Sequence, residues 1–310
     1  MISENYSELF AFLDRSGIKY LKDEPMSEHT SFRIGGKAKA FVMPRDADEL
    51  KGVYQAASKL GIKSYILGKG TNVLFDDAGF DGVVISTLSL DFVKQDGERL
   101  ICGAGASLTS TSRFALDKSL EGLSFAYGIP GSVGGGVYMN AGAYNGEVSF
   151  VLESSEYLDL EDGEIHKLSS EDHDFAYRYS SYKEHPERVI LSATFRLRPG
   201  EYDRIKAEMD DFINRRRTKQ PLEFPSAGSV FKRYPGRYTA QMIDEVGLKG
   251  ASVGGAEVSE KHAGFIVNKG GATSSDVLCL IDLIKNTIRD KYGIDIECEI
   301  IHVGGDNDGK

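Results

Sequence analysis

The chain has 310 residues, a net charge of −10, and 41% hydrophobic against 27% charged residues. This balance is typical of a globular protein long enough for one large domain or two to three smaller ones. The acidic charge excludes an overall basic surface of the kind that binds nucleic acid or an anionic membrane. We therefore expect neither as a partner.

The beginning of the chain and its cysteines indicate a cytoplasmic protein. The segment MISENYSELFAFLDRSG has no basic stretch followed by an apolar one, so we expect no signal peptide. No run approaches the roughly 18 apolar residues of a transmembrane helix. Cys102, Cys279 and Cys298 lack metal-site spacing, and we expect buried, unpaired thiols in a reducing compartment and no bound metal.

Up to residue 87 the pattern alternates between strands and helices. Asp46 is placed to cap a helix whose apolar residues recur at helical spacing. A strand then runs directly into the glycine loop GKGTN (68–72), and such a loop at the carboxyl end of a strand is a usual ligand position. The predicted elements are helices over 7–16 and from Asp46 to Gly61, and strands over 38–44, 64–67, 73–75 and 82–87.

The rest of the chain predicts further strands, three helices and one glycine-dense stretch, GIPGSVGGGVYMNAGAYNG (128–146). Pro199-Gly200 marks a boundary, followed by a helix that ends in the RRRTKQP segment. In IDIECEII (294–301) apolar residues alternate with Asp295, Glu297 and Glu299, which predicts a strand with its acidic residues on one face. The other predicted elements are strands over 99–104, 154–160 and 189–199, a helix over 107–119, and a helix from Asp276 to Lys291 between a Ser274 or Ser275 cap and Gly293.

The glycine loops do not match the common nucleotide fingerprints. GAGASL (103–108) and GKGTNV (68–73) have Leu108 and Val73 at the third glycine position, and no GxxxxGK[ST] occurs. GKGTN and GIPGSVGGG can instead present consecutive backbone N–H groups to a pyrophosphate. The alternative is that they are only tight turns, which fits GKGTN better than the longer stretch.

Seven segments of the chain occur in an order that resembles one known family. Together they cover nearly the whole chain from residue 29 to about 303. The sequence resembles the UDP-N-acetylenolpyruvoylglucosamine reductases (UDP-N-acetylmuramate dehydrogenases), flavoenzymes of bacterial peptidoglycan synthesis. The segments are HTSFRIGGKAKAFVMP (29–44), YILGKGTNVLF (65–75), GIPGSVGGGVYMNAGAY (128–144), FAYRYSSY (175–182), PSAGSVFK (225–232), GLKGASVGGAEVSEKHAGFIVN (247–268) and GIDIECEI (293–300).

The resemblance implies an α+β fold of the vanillyl-alcohol-oxidase (PCMH) type. In this fold two lobes hold FAD and a smaller α+β domain binds the substrate. We expect an FAD-binding region over 1–200, with lobes over about 1–88 and 89–200, a substrate domain over 201–303, and a disordered tail over 304–310. The short interval between FAYRYSSY and PSAGSVFK is typical of the compact second type, so the tyrosine that closes over the substrate is expected to be absent.

The resemblance also implies the reaction. NADPH reduces FAD, and the enolpyruvyl group of UDP-N-acetyl-3-O-(1-carboxyvinyl)-glucosamine is then reduced to give UDP-N-acetylmuramate. Hydride adds to the terminal carbon of the enolpyruvyl ether, and negative charge develops on the adjacent carbon and the carboxylate. Three residues match the family's catalytic positions: Arg178 would stabilise this charge, Ser229 would donate the proton, and Glu299 would polarise the carboxylate or assist the proton transfer.

The same resemblance implies the binding residues. Lys232 would meet the UDP diphosphate and Phe265 would pack on the nucleotide, and the protein is expected to be a monomer. Without the resemblance, structural roles are the alternative for each of these side chains. The residues expected to bind FAD, mainly through their backbone, are Gly68, Lys69, Gly70, Thr71, Asn72, Gly128, Ile129, Pro130, Gly131, Ser132, Gly134, Gly135, Asn140, Ala141 and Gly142.

Two departures from the family pattern and one basic run leave questions open. Asn145 stands where the family usually continues with glycine, and Ile301 stands where relatives often carry an arginine. The run 215–217 either binds phosphate or complements a helix carboxyl end. Two other functions are in competition: an FAD-dependent oxidase of a hydroxy acid or sugar, and a catalytically idle flavin- or UDP-sugar-binding regulator.

Overall fold

A computed structural model describes residues 2–304 and 307–308 of the chain. Its α-helices are α1 (Ile2–Ser16), α2 (Ala47–Lys59), α3 (Leu108–Asp117), α4 (Val133–Tyr138), α5 (Tyr202–Lys219), α6 (Thr239–Glu245) and α7 (Ser274–Tyr292). Its strands are β1 (Lys19–Pro25), β2 (Lys37–Met43), β3 (Lys63–Leu67), β4 (Val73–Phe75), β5 (Phe80–Ser86), β6 (Val93–Asp96), β7 (Arg99–Gly103), β8 (Leu120–Glu121), β9 (Gly142–Ala143), β10 (Gly146–Glu147), β11 (Leu152–Asp159), β12 (Ile165–Ser169), β13 (Arg188–Arg196), β14 (Arg198–Pro199), β15 (Ser252–Val253), β16 (Ala256–Val258), β17 (Ile266–Asn268), β18 (Ile301–Gly304) and β19 (Asn307–Asp308).

The predicted helix signals are confirmed with one change of cap. Asp46 caps α2, since its side chain accepts from the backbone N–H of Glu49 at 2.9 Å. Helix α7 begins earlier than predicted because Thr273 and Asp276 form a capping box, in place of a Ser274 or Ser275 cap. Gly293 ends this helix with a φ of +65°.

All three cysteines are unpaired, as expected, but the expected burial holds for one of them only. Cys102 is buried, whereas Cys298 is half-buried and Cys279 is exposed. Cys279 lies on α7, outside the stripe of buried residues that includes Val277, Ile281 and Ile284. Apolar neighbours in the sequence therefore predicted burial where the helical period gives exposure.

The first of two compact units contains the chain up to Lys22, Ala40–Lys69 and Gly82–Arg215. Its five-stranded antiparallel sheet has the order β12-β11-β13-β7-β6, and α4 packs on β13 and β7. A second sheet has the order β1-β2-β5-β3, and its parallel pairing of β3 with β5 lies within this unit. Core residues such as Phe195 and Leu50 are fully buried, and each such side chain stabilises the fold by about 1.5–3 kcal/mol.

The second unit contains Asp23–Lys39, Gly70–Asp81 and the chain from Arg216 onward. Helix α7 packs on β15 and β16 of a small antiparallel sheet in the order β15-β16-β17. Strand β4, which follows the GKGTN loop, pairs in parallel with β18 near the end of the chain. A fully buried apolar cluster, with Leu280 and Ile243 among its members, holds these elements together.

These units divide the chain differently from the predicted boundary near residue 200. Two segments of the predicted first lobe, 23–39 and 70–81, belong to the unit that contains the chain from Arg216 onward. A division of the sequence into contiguous ranges cannot show that separate segments of the chain belong to one unit. The assignment of FAD binding to residues 1–200 and of substrate binding to 201–303 stays a prediction.

The predicted strand over 294–301 is wrong in extent. Residues 294–297 form no strand, Cys298 makes an isolated bridge to Phe231, and β18 begins at Ile301. The predicted alternation is nevertheless present, because Ile296 is buried and Glu297 is exposed. The segment is held by one isolated bridge, with the backbone hydrogen bonds on either side of it, rather than by a ladder.

The expected disorder of the tail 304–310 is wrong for its described part. Strand β19 pairs antiparallel with β18, so that Gly304 lies opposite Asn307 and Val303 opposite Asp308. The pairing of these two strands orders a segment that composition alone predicted to be disordered. Residues 305, 306, 309 and 310 lie outside the described residues. Within the described residues, no helix is long and apolar enough to cross a membrane.

Candidate active site

Arg178 lies at the third position of a tight turn over residues 176–179. Ala176 and Tyr179 exchange backbone hydrogen bonds of 3.2 and 3.1 Å, which closes the turn. Arg178 has a φ of +58°, a conformation that costs a non-glycine residue roughly 1–2 kcal/mol. A strained residue that its surroundings hold in place is a frequent feature of functional sites.

The Asn140 side chain fixes one end of this turn. It is 1% exposed, and its Nδ2 donates to the carbonyl oxygen of Ala176 at 3.1 Å and to Glu147 Oε1 at 3.0 Å. Its Oδ1 accepts from the backbone N–H of Ser149 at 3.0 Å. The Asn140 side chain therefore holds the Arg178 turn, while its predicted contact with FAD stays a prediction.

Two further hydrogen bonds attach the turn to the segment 138–142. Ser180 Oγ donates to the carbonyl oxygen of Tyr138 at 2.8 Å, and Arg178 Nη2 donates to that of Gly142 at 3.4 Å. Gly142 has no room for a side chain, since an added Cβ would lie 2.7 Å from the carbonyl oxygen of Gly146. The glycine thus keeps the backbone close enough to orient the guanidinium group.

A two-residue turn joins β9 and β10 directly after these contacts. Tyr144 and Asn145 have φ values of +53° and +63°, as a type I′ hairpin turn requires. Asparagine tolerates this conformation, which explains how Asn145 replaces the usual family glycine. The Tyr144 ring at this turn stacks on Phe212, with ring centroids 4.4 Å apart. Next to the hairpin, the carbonyl oxygen of Ala141 accepts a hydrogen bond from the N–H of Val148 at 3.0 Å.

The structure brings two predicted cofactor loops together in the first unit. A Cβ added to Gly68 would lie 2.6 Å from Ser132 Oγ, so the loop backbone lies directly against this serine. Ser132 caps α4, and its Oγ accepts weakly from the N–H of Gly135 at 3.4 Å. Among the described residues, the N–H groups of Gly131 and Ser132 have no acceptor. These donors remain available to an anion.

Part of the glycine-dense stretch is a helix, contrary to its interpretation as a loop of open N–H groups. The N–H groups of Val133 and Gly134 donate to the carbonyl oxygens of Ala106 and Ala104 at 2.8 Å each. A Cβ on Gly134 would lie 2.9 Å from the Ala104 side chain. Gly134 therefore serves close packing of α4, and its N–H is not available to FAD.

The segment before this helix is held by a threonine of α3. Thr109 Oγ1 accepts from the N–H of Gly128 at 3.2 Å and donates to the carbonyl oxygen of Ile129 at 3.1 Å. Ile129 N donates to Ala126 O at 3.0 Å, and Pro130 is exposed. Residues 128–130 thus form a fixed turn whose surface, rather than its N–H groups, is available for contact.

The second half of GKGTN packs against the backbone of the HTSFRIGG motif. Gly70 has a φ of +61°, and an added Cβ would lie 2.1 Å from the carbonyl oxygen of His29. The N–H of Ser31 donates to the carbonyl oxygen of Gly70 at 3.0 Å. Lys69 is exposed and Thr71 is half-buried. Gly70 is therefore required by backbone packing, as the tight-turn alternative has it.

Ser229 and Glu299 lie on neighbouring segments of the second unit. Ser229 is half-buried and its backbone forms a bridge with Phe265. On the other side, the N–H of Glu299 donates to the carbonyl oxygen of Val230 at 2.7 Å. The structure thus brings together two predicted catalytic residues that are seventy positions apart in the sequence.

Asn72 connects this pair to the glycine loop. Its Nδ2 donates to the carbonyl oxygen of Glu299 at 3.1 Å, and its own carbonyl accepts from the N–H of Ile301 at 2.9 Å. Ile301, where relatives often carry an arginine, begins β18 opposite Val73. The loop predicted to bind FAD and the predicted catalytic glutamate are therefore parts of one hydrogen-bonded group.

Arg178 belongs to the first unit, whereas Ser229 and Glu299 belong to the second. Their convergence on one flavin stays a prediction.

Two neighbours of the site were not predicted from the sequence. The first is the backbone of His29–Thr30, which lies some forty residues before Gly70, so no spacing in the sequence links the two. The second is Glu147, which the turn residues after Asn140 could have indicated, because they predict a hairpin whose second strand contains it.

Lys232 does not have a free ammonium group. Its Nζ lies 2.8 Å from Glu297 Oε2, and this hydrogen bond holds the pKa of the Glu297 carboxyl below its usual value. Both side chains are partly or largely exposed, so a ligand phosphate can compete for the lysine. Lys232 binding to a diphosphate stays a prediction.

Replacing Glu297 tests that prediction. If Lys232 contacts the diphosphate, Glu297→Gln should lower the KM for the UDP-sugar about 1.4- to fivefold, because exposed ion pairs are worth ~0.2–1 kcal/mol. Asp295→Asn, which removes the exposed partner of Arg289, is the matched control and should leave KM unchanged. An unchanged or raised KM in Glu297→Gln would exclude the role of Lys232.

Phe265 is 5% exposed, and its ring packs edge-on against His262 at 4.9 Å. The ring thus leaves little surface for a nucleotide, and packing on the substrate stays a prediction that this burial opposes. His262 is held by the protein itself: burial lowers its pKa, and its Nδ1 accepts from the N–H of Gly264 at 3.2 Å. No group of three or more His, Cys, Asp or Glu side chains in the described part of the chain is arranged to hold a metal ion.

Comparisons with known proteins agree on one family. Residues 38–169 match the FAD binding domain, and residues 220–303 match the UDP-N-acetylenolpyruvoylglucosamine reductase C-terminal domain. The chain is 47% identical to the UDP-N-acetylenolpyruvoylglucosamine reductase of Clostridium botulinum (strain Hall), over 93% of each protein. It is 44% identical to the enzyme of that name from Geobacillus kaustophilus, over 92% of this chain and 93% of the relative.

A solved structure shows the same likeness in three dimensions. The crystal structure of the reductase from Thermus caldophilus matches with a TM-score of 0.78 and 30% identity, over 93% of this chain and 99% of the other. Together with the FAD binding domain match, this confirms the predicted α+β fold of the vanillyl-alcohol-oxidase type. The chain belongs to the UDP-N-acetylenolpyruvoylglucosamine reductase family.

Proposed function

We propose that this protein is an FAD-dependent reductase that uses NADPH to convert UDP-N-acetyl-3-O-(1-carboxyvinyl)-glucosamine to UDP-N-acetylmuramate. The observation that carries the proposal is the hydrogen-bonded group in the second unit. There, Glu299 bonds to the backbone beside Ser229, and Asn72 of the glycine loop bonds to Glu299. A proton donor and an acid are thereby fixed next to a loop of the kind that binds a dinucleotide.

The residues present fit FAD. The backbone at Gly68 lies against Ser132, in a place that any larger residue would fill, and Gly131 and Ser132 carry N–H groups without an acceptor among the described residues. Such N–H groups next to a helix start suit a pyrophosphate. Gly68, Gly131 and Ser132 would hold the cofactor, and reduced FAD would supply the hydride.

Arg178 would bind the carboxylate of the enolpyruvyl group. Its planar guanidinium group can donate two parallel hydrogen bonds, which suit the charge that develops on the carboxylate during reduction. Donors fixed in advance lower the barrier by about 3–4 kcal/mol each, because they need no reorganisation. The hydrogen bond to Gly142 and the closed turn supply this fixed orientation.

Ser229 would deliver the proton that completes the reduction. The carbon next to the carboxylate becomes strongly basic, so a hydroxyl group is acidic enough to protonate it. Glu299, half-buried on the adjacent segment, would polarise the carboxylate or assist the transfer to Ser229. The backbone bond between Glu299 and Val230 keeps the two groups in register.

Product analysis tests the proposal. Purified protein with bound FAD should oxidise NADPH beyond the one equivalent that reduces the flavin only when the enolpyruvyl nucleotide is present, and mass spectrometry should show a product two hydrogens heavier than the substrate. In deuterium oxide at least one of these two should be deuterium, because the proton comes from an exchangeable group and the N–H hydrogen of reduced flavin can exchange as well. Consumption of oxygen with a hydroxy acid or sugar would instead identify an oxidase, and bound flavin without turnover would identify a regulator.

Arg178→Lys keeps the positive charge but loses the planar pair of donors. We expect the rate of enolpyruvyl reduction to fall about 100-fold, as for the loss of one oriented donor. The reduction of FAD by NADPH should change little. Arg196→Lys, which alters an ion pair with Glu153, is the control and should keep the wild-type rate. A near-normal rate in Arg178→Lys would remove the arginine from the mechanism.

We further propose that the protein is cytoplasmic, since NADPH and nucleotide sugars are cytoplasmic substrates, and that it is a monomer. Sedimentation velocity at several protein concentrations tests the monomer. One sedimenting species at the mass of a single chain would support it, and a concentration-dependent shift to a heavier species would contradict it.

A further inference from the structure

A buried chain of polar side chains lies at the base of the loop that carries Arg178. Ser155 Oγ, on β11, lies 2.8 Å from His173 Nε2 and 2.6 Å from the hydroxyl oxygen of Tyr182. His173 Nδ1 lies 2.6 Å from the carbonyl oxygen of Ser169. Ser155, His173 and Tyr182 are each at most 2% exposed. None of the three belongs to the proposed catalytic set of Arg178, Ser229 and Glu299.

The direction of each hydrogen bond follows from its partners. A carbonyl oxygen only accepts, so His173 Nδ1 carries the hydrogen that bonds to Ser169. Burial lowers the pKa of His173, which keeps the ring neutral and leaves Nε2 as an acceptor for the Ser155 hydroxyl. Burial also raises the pKa of Tyr182 to about 12, so its hydroxyl stays protonated and donates to Ser155.

This chain closes the base of the loop from His173 to Tyr182. The two ends meet at Ser155, and Ser181 Oγ also donates to the carbonyl oxygen of Asp172 at 3.2 Å. The His173 ring stacks on Phe175, with centroids 4.8 Å apart and planes 10° apart. This stacking fixes Phe175 relative to His173, and Phe175 is the residue directly before the Arg178 turn.

We propose that His173, Ser155 and Tyr182 are positioning residues that hold Arg178 in its catalytic orientation. The inference rests on the proposed function of Arg178. An arginine with a left-handed backbone conformation keeps it only where the surrounding structure enforces it. Apolar side chains could fill the same volume, but they would not fix the loop ends at defined distances as directed hydrogen bonds do. The three groups touch neither substrate nor cofactor in this role, and they act through the turn.

Tyr182→Phe and Ser155→Ala test the proposal, each alone and combined with Arg178→Lys. We expect each single variant to lower the rate of enolpyruvyl reduction about tenfold or more, because small displacements of a catalytic group have effects of this size. The dissociation constant of the UDP-sugar and the rate of flavin reduction by NADPH should stay near wild type. In the Arg178→Lys background the same changes should lower the rate less than about twofold, since the correct orientation is already lost.

Tyr157→Phe is the matched control. Tyr157 is also a buried tyrosine, and its ring packs edge-on against Tyr182 at 5.8 Å, but its hydroxyl is outside the chain of hydrogen bonds. It should keep the wild-type rate. Rates are expressed per bound flavin, so loss of folded protein does not appear as loss of rate.

The outcomes separate the two proposals. An equal loss of rate in both backgrounds, or an equal loss in both half-reactions, would show a purely structural role and overturn the inference. A wild-type protein that never reduces the enolpyruvyl nucleotide would instead overturn the proposed function. A wild-type protein with full activity, an impaired Arg178→Lys variant and unimpaired Tyr182→Phe and Ser155→Ala variants would leave the function standing and remove the positioning role.

Discussion

Ser229→Ala is expected to slow the reduction of the enolpyruvyl nucleotide by about 10²–10⁴-fold, the usual contribution of a general acid. The reduction of the flavin by NADPH should remain nearly intact, because no proton from Ser229 is needed in that half-reaction. Stopped-flow absorbance of the flavin measures the two half-reactions separately. The expected signature is rapid bleaching by NADPH and a very slow recovery on addition of the nucleotide.

Ser226→Ala provides a matched control in the same motif. Ser226 makes backbone contacts with Ser31, its N–H donating to Ser31 O at 3.1 Å and its own carbonyl accepting from Ser31 Oγ at 2.7 Å. Both contacts survive loss of the Ser226 hydroxyl, so both half-reactions should keep their wild-type rates. If Ser229→Ala slows both half-reactions equally, the serine is not the proton donor.

Gly70→Ala is expected to lower the free energy of unfolding by about 4 kcal/mol or more, at the upper end of single substitutions. The left-handed backbone alone costs an alanine about 1–2 kcal/mol. The larger part comes from the new Cβ, which would lie 2.1 Å from the carbonyl oxygen of His29 and 3.0 Å from Thr30 Cα. Because both neighbours are backbone, the chain itself must move.

Gly247→Ala separates the two contributions. Gly247 lies in the same unit with a φ of +74°, and nothing lies within 4 Å of an added Cβ. This variant should lose only the conformational part, about 1–2 kcal/mol. Urea unfolding followed by circular dichroism gives both values. Equal losses in the two variants would show that Gly70 is not fixed by contact with residues 29–30.

The sequence predicted well whatever depends on local pattern. The Asp46 cap, the helix that ends at Gly293 and the alternation before β18 follow from local sequence signals, and the structure has each of them. The family resemblance added the fold, which no spacing in the chain reveals. The local elements and the fold were both predicted from stretches of residues that are contiguous in the sequence.

The failures that matter most for the site concern contacts between distant segments. Helix α4 was unexpected because glycine disfavours helices, and the packing of Gly134 against Ala104 that overcomes this preference is not visible in the sequence. The use of Asn140 as a clamp on the Arg178 turn depends on a loop thirty-six residues away. Propensity and motif therefore identified the segments of the site, while tertiary contacts decided what each residue in them does.

The central claim is that hydride enters from NADPH and leaves to the enolpyruvyl nucleotide through one flavin. Anaerobic double mixing tests it most directly: NADPH is added first, and the enolpyruvyl nucleotide follows once the flavin is bleached. We expect full recovery of the oxidised flavin spectrum, with one UDP-N-acetylmuramate formed per flavin. A protein that binds no flavin, or a reduced flavin that the nucleotide leaves bleached, would contradict it.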